Sequence, residues 1–198
     1  MTAEATHDLN TVPDWLRPPP EGFRAEDLDH MPYLPPHAEL IDGGIVLASR
    51  QNGFHSLAKD VLASGLRRTV PEHLAVRRDM TVTLAERQRP EPDVMVVHAE
   101  AVRGLEQNGF RARDVVLVIE VVMPASEIRD RERKPQLYAQ AGIPFFWRVE
   151  PVNGVVQVSV HERDPISGRY SLTGSQRGRL TLGVPFGVDI DLTEIERL

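Results

Sequence analysis

Apolar and polar positions along this chain repeat with two different periods. In FHSLAKDVLASGLRRTV (54–70), Leu57, Val61, Leu62 and Leu66 recur at helical spacing, which predicts an amphipathic helix. Alternating or continuous apolar runs then predict strands at 74–84, 93–98 and 114–122. A second helical stretch runs from Ser126, a good N-cap, to Ala141, and Gly142 supplies the stop. Strand patterns return at 144–151, 154–163 and 168–175, with a short last one near FGVDIDL. Upstream, AELIDGGIVLAS (38–49) reads as two short strands joined at Asp42-Gly43-Gly44, and AEDLDHM (25–31) as a short helix. The order predicts an α/β (α+β) domain with a central mixed sheet flanked by helices.

Before residue 37 the pattern is broken by Pro13, Pro18, Pro19, Pro20, Pro32, Pro35 and Pro36. A Pro-rich N-terminal extension is therefore expected over 1–36, followed by one domain over 37–198. The 198 residues can bury a sizeable core, and 41% hydrophobic with 26% charged residues is a globular composition. No apolar run approaches the roughly 20 residues of a membrane span. The first 20 residues lack the basic and apolar regions of a signal peptide, so a cytoplasmic protein without membrane contact is expected. With no cysteine, disulfides and thiolate metal sites are excluded.

The net charge of −6 argues against a protein that coats nucleic acid nonspecifically. It leaves room for an acidic pocket beside a local basic surface, for which Arg67-Arg68, Arg77-Arg78, Arg111 and Arg113 are candidates. Any one of these pairs taken alone reads more simply as solvated.

The candidate chemistry begins with Glu120, which interrupts the apolar run VVLVIEVV. Strand alternation would put it on one face with Val116, Val118 and Val122. An unpaired carboxylate there costs several kcal/mol or takes up a proton. It therefore needs a cation, a hydrogen-bond partner or a cleft; an arginine salt bridge is the simplest answer. Asp93, after Pro92, is ordinarily just a turn residue. If strands 93–98 and 115–122 pair antiparallel with 98 near 115, however, Asp93 falls opposite Glu120. Two adjacent carboxylates repel, and Mg²⁺ or Mn²⁺ would remove that repulsion. Asp130, Lys134 and Tyr138, spaced by four, share a helix face, although Asp130 and Lys134 also read as a surface pair worth a few tenths of a kcal/mol. Pro135 should kink or restart that helix.

PEPDVMVV, LVIEVVMPAS and DRERKPQLYAQAGIPFFWRVEP together resemble the Uma-type restriction endonucleases of bacteria, a branch of the PD-(D/E)XK nuclease superfamily, over roughly 37–190. The resemblance implies a restriction-endonuclease-like core and a metal-dependent endonuclease that hydrolyses DNA. It implies Asp93 and Glu120 as ligands of Mg²⁺ (or Mn²⁺), with Glu39 able to join them. The superfamily's strand lysine is replaced by Val122, so the resemblance nominates Lys134 from the following helix. Met123 stands where the family often has serine. Tyr138 is read as a packing residue with its hydroxyl at the rim, and His55 as a surface histidine at a helix start. The resemblance also implies a homodimer, because duplex cutting needs two sites.

Two other readings compete. One is a catalytically inactive nuclease-like fold that binds nucleic acid or protein, favoured by Val122, Met123 and the acidic charge. The other is an oligomeric partner protein that uses Phe145, Phe146 and Trp147 as an exposed patch, although burial on both faces of the sheet explains that triplet more simply.

Overall fold

A computed structural model of the chain describes residues 16–48 and 50–197. The first 15 residues of the expected Pro-rich extension, including Pro13, lie outside the described residues. A hairpin of β1 (Glu39–Ile41) and β2 (Gly44–Val46) leads into α1 (Gly53–Thr69). There follow β3 (Leu74–Arg78), β4 (Thr81–Thr83), β5 (Val94–His98), β6 (Gly109–Arg111) and β7 (Val115–Val121). A π-turn (Arg129–Arg133) runs directly into α2 (Lys134–Gln140). The chain ends in β8 (Phe145–Val152), β9 (Val155–Arg163), β10 (Tyr170–Arg177), β11 (Arg179–Leu182) and β12 (Val188–Asp191).

Six strands form the central sheet in the order β10-β9-β8-β7-β5-β3. It is mixed, as expected, because β7 and β8 run parallel across the α2 crossover while the other neighbours are antiparallel. On one face α1 packs Ala58, Leu62 and Leu66 against Leu117, Ile119, Trp147 and Val149. On the other, Tyr138 and Ile143 pack with Met95, Val118 and Phe146. Phe146 and Trp147 are thus buried on opposite faces and form no exposed aromatic patch. Phe23, Ala25 and Leu28 bury themselves against Leu40 of the hairpin. Among the described residues, no helix is long and apolar enough to cross a membrane.

Three local departures from the expected elements matter for the site. The strand expected over 74–84 is two strands, divided at Asp79, whose left-handed backbone (φ 52°) turns β4 out of the sheet to pair with β6. Val116 does not share the face of Glu120: a bulge between Val96 and Val97 leaves it unpaired and turns it toward the α1 side. The second helix is wider at its start than an α-helix, with the Lys134 N–H reaching Arg129 O, five residues back. Pro135 has no N–H to give to the preceding turn, and the π-turn is where the helix absorbs that loss. The expected turn residues do form: Asp42 and Gly43 both adopt positive φ (54° and 78°), which suits a tight hairpin.

Candidate active site

The β5–β7 register places Val94 beside Ile119, so the next rung sets Asp93 beside Glu120. The Val121 N–H donates to Asp93 Oδ2 at 2.7 Å, which fixes the carboxylate against the strand. Glu39 reaches the same place from β1: the Glu91 N–H donates to its Oε1 at 2.8 Å. Lys134 arrives from the first turn of α2, with Nζ 2.7 Å from Glu39 Oε1 and 3.1 Å from Glu120 Oε2. Asp93, Glu120, Glu39 and Lys134, the four residues singled out from the sequence, therefore line one cleft of about 70 Å³. That is room for roughly two waters at about 30 Å³ each.

Three further side chains in the site were given other roles in the sequence reading. Asp130 and Lys134 are not a solvated surface pair: they are 3% and 4% exposed, and Asp130 Oδ1 lies 3.4 Å from Lys134 Nζ. Ser126 Oγ donates to the other Asp130 oxygen. Tyr138 is fully buried, not at a rim, and its hydroxyl donates to Glu120 Oε1 at 2.5 Å. His55 is not a surface residue either; it is 5% exposed, with Nε2 2.9 Å from Asp93 Oδ1. A signal for His55 was present, since it stands three residues before Ala58 and seven before Leu62, on the buried face of α1. The four-residue spacing that joins Lys134 to Tyr138 carried the same signal.

The charges do not balance. Glu39, Asp93, Glu120 and Asp130 face the Lys134 ammonium and, more distantly, Arg129, whose Nε is 3.6 Å from Glu39 Oε2. Burial pushes the Glu120 carboxyl well above the usual carboxylate range, with Lys134 opposing and the other acids reinforcing. Burial raises Asp130 as well. For Lys134 burial acts downward, but Glu120, Glu39, Asp130 and Asp93 together outweigh it and keep the ammonium charged. Burial, and then Glu120, keep the Tyr138 hydroxyl protonated and hence a donor.

The donor set fits a hard divalent cation. Every candidate ligand is a carboxylate oxygen, the chemistry that Mg²⁺ and Mn²⁺ prefer, and Asp130 Oδ1 is a buried oxygen without a hydrogen bond. Among the described residues, His37, Asp79 and Glu91 form another group, with one ligand atom of each within 4.8 Å of the others. Its carboxylates already have partners: His37 Nδ1 is 2.5 Å from Glu91, and Lys59 donates to Asp79 at 2.5 Å.

The arginines proposed for a basic surface are dispersed. Arg78 is taken up by Asp60, Arg77 bonds the carbonyl of Val76, and Arg111 and Arg113 line a separate groove.

Comparison with known proteins bears on this geometry. A family model described as "Uma2: Putative restriction endonuclease" matches residues 25–193. Among solved structures, the chain is similar to one described as a putative nuclease belonging to DUF820 from Anabaena variabilis. The two share 15% sequence identity at a TM-score of 0.63, over 86% of this chain and 95% of the other, a likeness of fold. No curated protein matches the chain.

Proposed function

Because the chain belongs to the Uma2 family, we propose that it is a metal-dependent endonuclease that hydrolyses phosphodiester bonds of DNA. The observation that carries this reading is the convergence of Lys134 Nζ on Glu39 and Glu120 beside Asp93, from three separate strands and a helix. Asp93 and Glu120 are the ligands for Mg²⁺ or Mn²⁺, and Glu39 stands where it can join them. When bound, such an ion neutralises charge on the phosphate and lowers the pKa of its water.

The rest of the work falls to this chain's own side chains. Lys134 stays charged, so it can orient the attacking water or stabilise negative charge building on the phosphate oxygens. It reaches the site from α2 because Val122 occupies the strand position where the superfamily would have lysine. The Tyr138 hydroxyl and Lys134 each hold one oxygen of Glu120, which fixes the rotation of its carboxylate. Action on a duplex further suggests a homodimer with one site per strand, working in the cytoplasm.

One observation favours a second reading. The Lys134 ammonium already lies among Glu39, Glu120 and Asp130, so the cluster could be a buried salt-bridge network in a nuclease-shaped binding module. Calorimetric titration with Mn²⁺ separates the two, since the module needs no ion and the nuclease does. The decisive assay is nicking of supercoiled plasmid with Mg²⁺ and Mn²⁺, run beside E120A and K134A. Cleavage is expected to vanish in both variants; cleavage unaffected by either would place the chemistry elsewhere.

A further inference from the structure

We propose that His55 is a positioning residue for Asp93, holding that carboxylate at a fixed rotation so that its free lone pairs stay turned toward the bound cation. The inference rests on the metal-dependent reading above.

The local sequence sets His55 firmly. Asn52 caps α1 by accepting the backbone N–H of His55, which fixes the first helical turn. From there the imidazole points inward on the same face as Ala58 and Leu62, toward the mouth of β5. Its Nε2 lies 2.9 Å from Asp93 Oδ1 while the Val121 N–H holds Asp93 Oδ2 at 2.7 Å. Each oxygen of Asp93 thus receives one donor from the protein, one from a helix and one from a strand. A carboxylate pinned at both oxygens cannot rotate, and each oxygen keeps a lone pair for a ligand.

The same geometry excludes a direct chemical role. An ionised carboxylate only accepts, so the nitrogen facing Asp93 is the one that bears hydrogen. The other nitrogen, Nδ1, is enclosed and has no hydrogen-bond partner. With one nitrogen engaged by Asp93 and the other sealed from solvent, His55 offers no atom to a water or a phosphate. Its influence passes through Asp93. The arrangement mirrors the carboxylate–histidine pairs that orient metal ligands from outside the coordination sphere, where loss of the outer partner typically weakens metal affinity about 10–100-fold. Docking of α1 does not depend on His55 alone, because Lys59, one turn further on, donates to Asp79 at 2.5 Å.

The test uses the full chain. Mn²⁺ affinity is measured by calorimetry for the wild type, His55→Leu and His55→Gln, with plasmid nicking followed as a function of Mn²⁺ concentration. Leucine fills the space without a donor, whereas the glutamine amide can place an N–H near the position of Nε2. H55L should bind Mn²⁺ about 10–100-fold more weakly, and H55Q should recover most of that loss. The Mn²⁺ concentration for half-maximal nicking should rise by the same factor as Kd, with kcat at saturating Mn²⁺ changed far less. Equal Mn²⁺ affinity in H55L and the wild type would overturn the inference, as would H55Q falling as far as H55L. If H55L does not fold, H55Q is compared with His55→Asn, whose shorter amide reaches only the Nδ1 position. Tighter binding by H55Q then supports the inference and equal binding overturns it. A wild type that binds no Mn²⁺ would instead remove the metal-dependent reading itself.

Discussion

Replacing Lys134 by methionine keeps the length and apolar stem of the side chain and removes only its charge. Lys134 is 4% exposed, and its Nζ lies 2.7, 3.1 and 3.4 Å from three carboxylates. Removing one partner of a buried ion pair costs about 3–5 kcal/mol. The lower end applies here, because burial already pushes Glu120 and Asp130 toward protonation and each can shed part of its charge. A loss of about 3 kcal/mol lowers the melting temperature of a domain this size by about 6–12 °C. The measurement is thermal unfolding followed by circular dichroism, first in EDTA and then with Mn²⁺. An ion present at 100 times its Kd adds about 2.7 kcal/mol of stability. It should help K134M at least as much as the wild type, because it supplies positive charge where the variant has lost it. A variant that melts at the wild-type temperature in EDTA would refute the reasoning, since the ammonium would then not be balancing the cluster.

Other substitutions probe separate parts of the fold. Tyr138→Phe keeps the ring against Phe146 but removes the donor to Glu120 Oε1, and should cost about 1–3 kcal/mol in urea unfolding. Gly65→Ala would set a Cβ 2.5 Å from Ile190 Cγ1 where α1 crosses β12. The overpacking cost of about 1–3 kcal/mol should exceed the helix-propensity gain of about 1 kcal/mol, and Ile190→Ala in the same chain should relieve it in a double-mutant cycle. Asp42 is held below the usual carboxylate range first by its hydrogen bonds from Arg133, against a smaller effect of burial. Its folded pKa therefore lies below the unfolded value of about 3.9, so the contact stabilises above that pH and the benefit disappears as pH falls through the folded value. Asp42→Asn should melt below the wild type at neutral pH, and the gap should close in acid.

The parts of the site that were legible in the sequence are those set by strand arithmetic. Counting rungs from an assumed pairing of 98 near 115 put Asp93 opposite Glu120, and the observed register, Val94 beside Ile119, gives the same neighbours. The count succeeded even though a bulge separates its starting point from its end, because the true pairing begins at Val97 and Val115 and the extra residue, Val116, makes up the difference. The bulge itself was illegible, since every residue around it is apolar and none marks a kink. The expected faces of Val116 were lost with it.

Burial of polar side chains was the other gap. His55, Asp130 and Tyr138 were given surface, surface and rim positions, because a polar residue is more often outside than in. Their spacing already placed them on apolar or shared faces. What the sequence did not give was the partner: Asp93 and Glu120 are far away along the chain, and burial becomes favourable only when those partners are known. The division of one strand at Asp79, and the pairing of β4 with β6, depend likewise on contacts between distant segments.

The π-turn at Arg129–Arg133 has a consequence for the chain's tolerance of length changes. It holds one residue more than an α-helical turn spanning the same rise, so it acts as a phase offset upstream of Lys134 and Tyr138. Deleting a residue within it would let the helix close into an ordinary α-helix, yet would rotate everything downstream by about 100°. Lys134 would then turn away from Glu39 and Glu120, and the Tyr138 hydroxyl from Glu120, without any change in the residues themselves. A single-residue indel here is thus an address change for two side chains at once. Loop insertions between β9 and β10, where Asp164 and Gly168 close an exposed turn, would carry no such penalty.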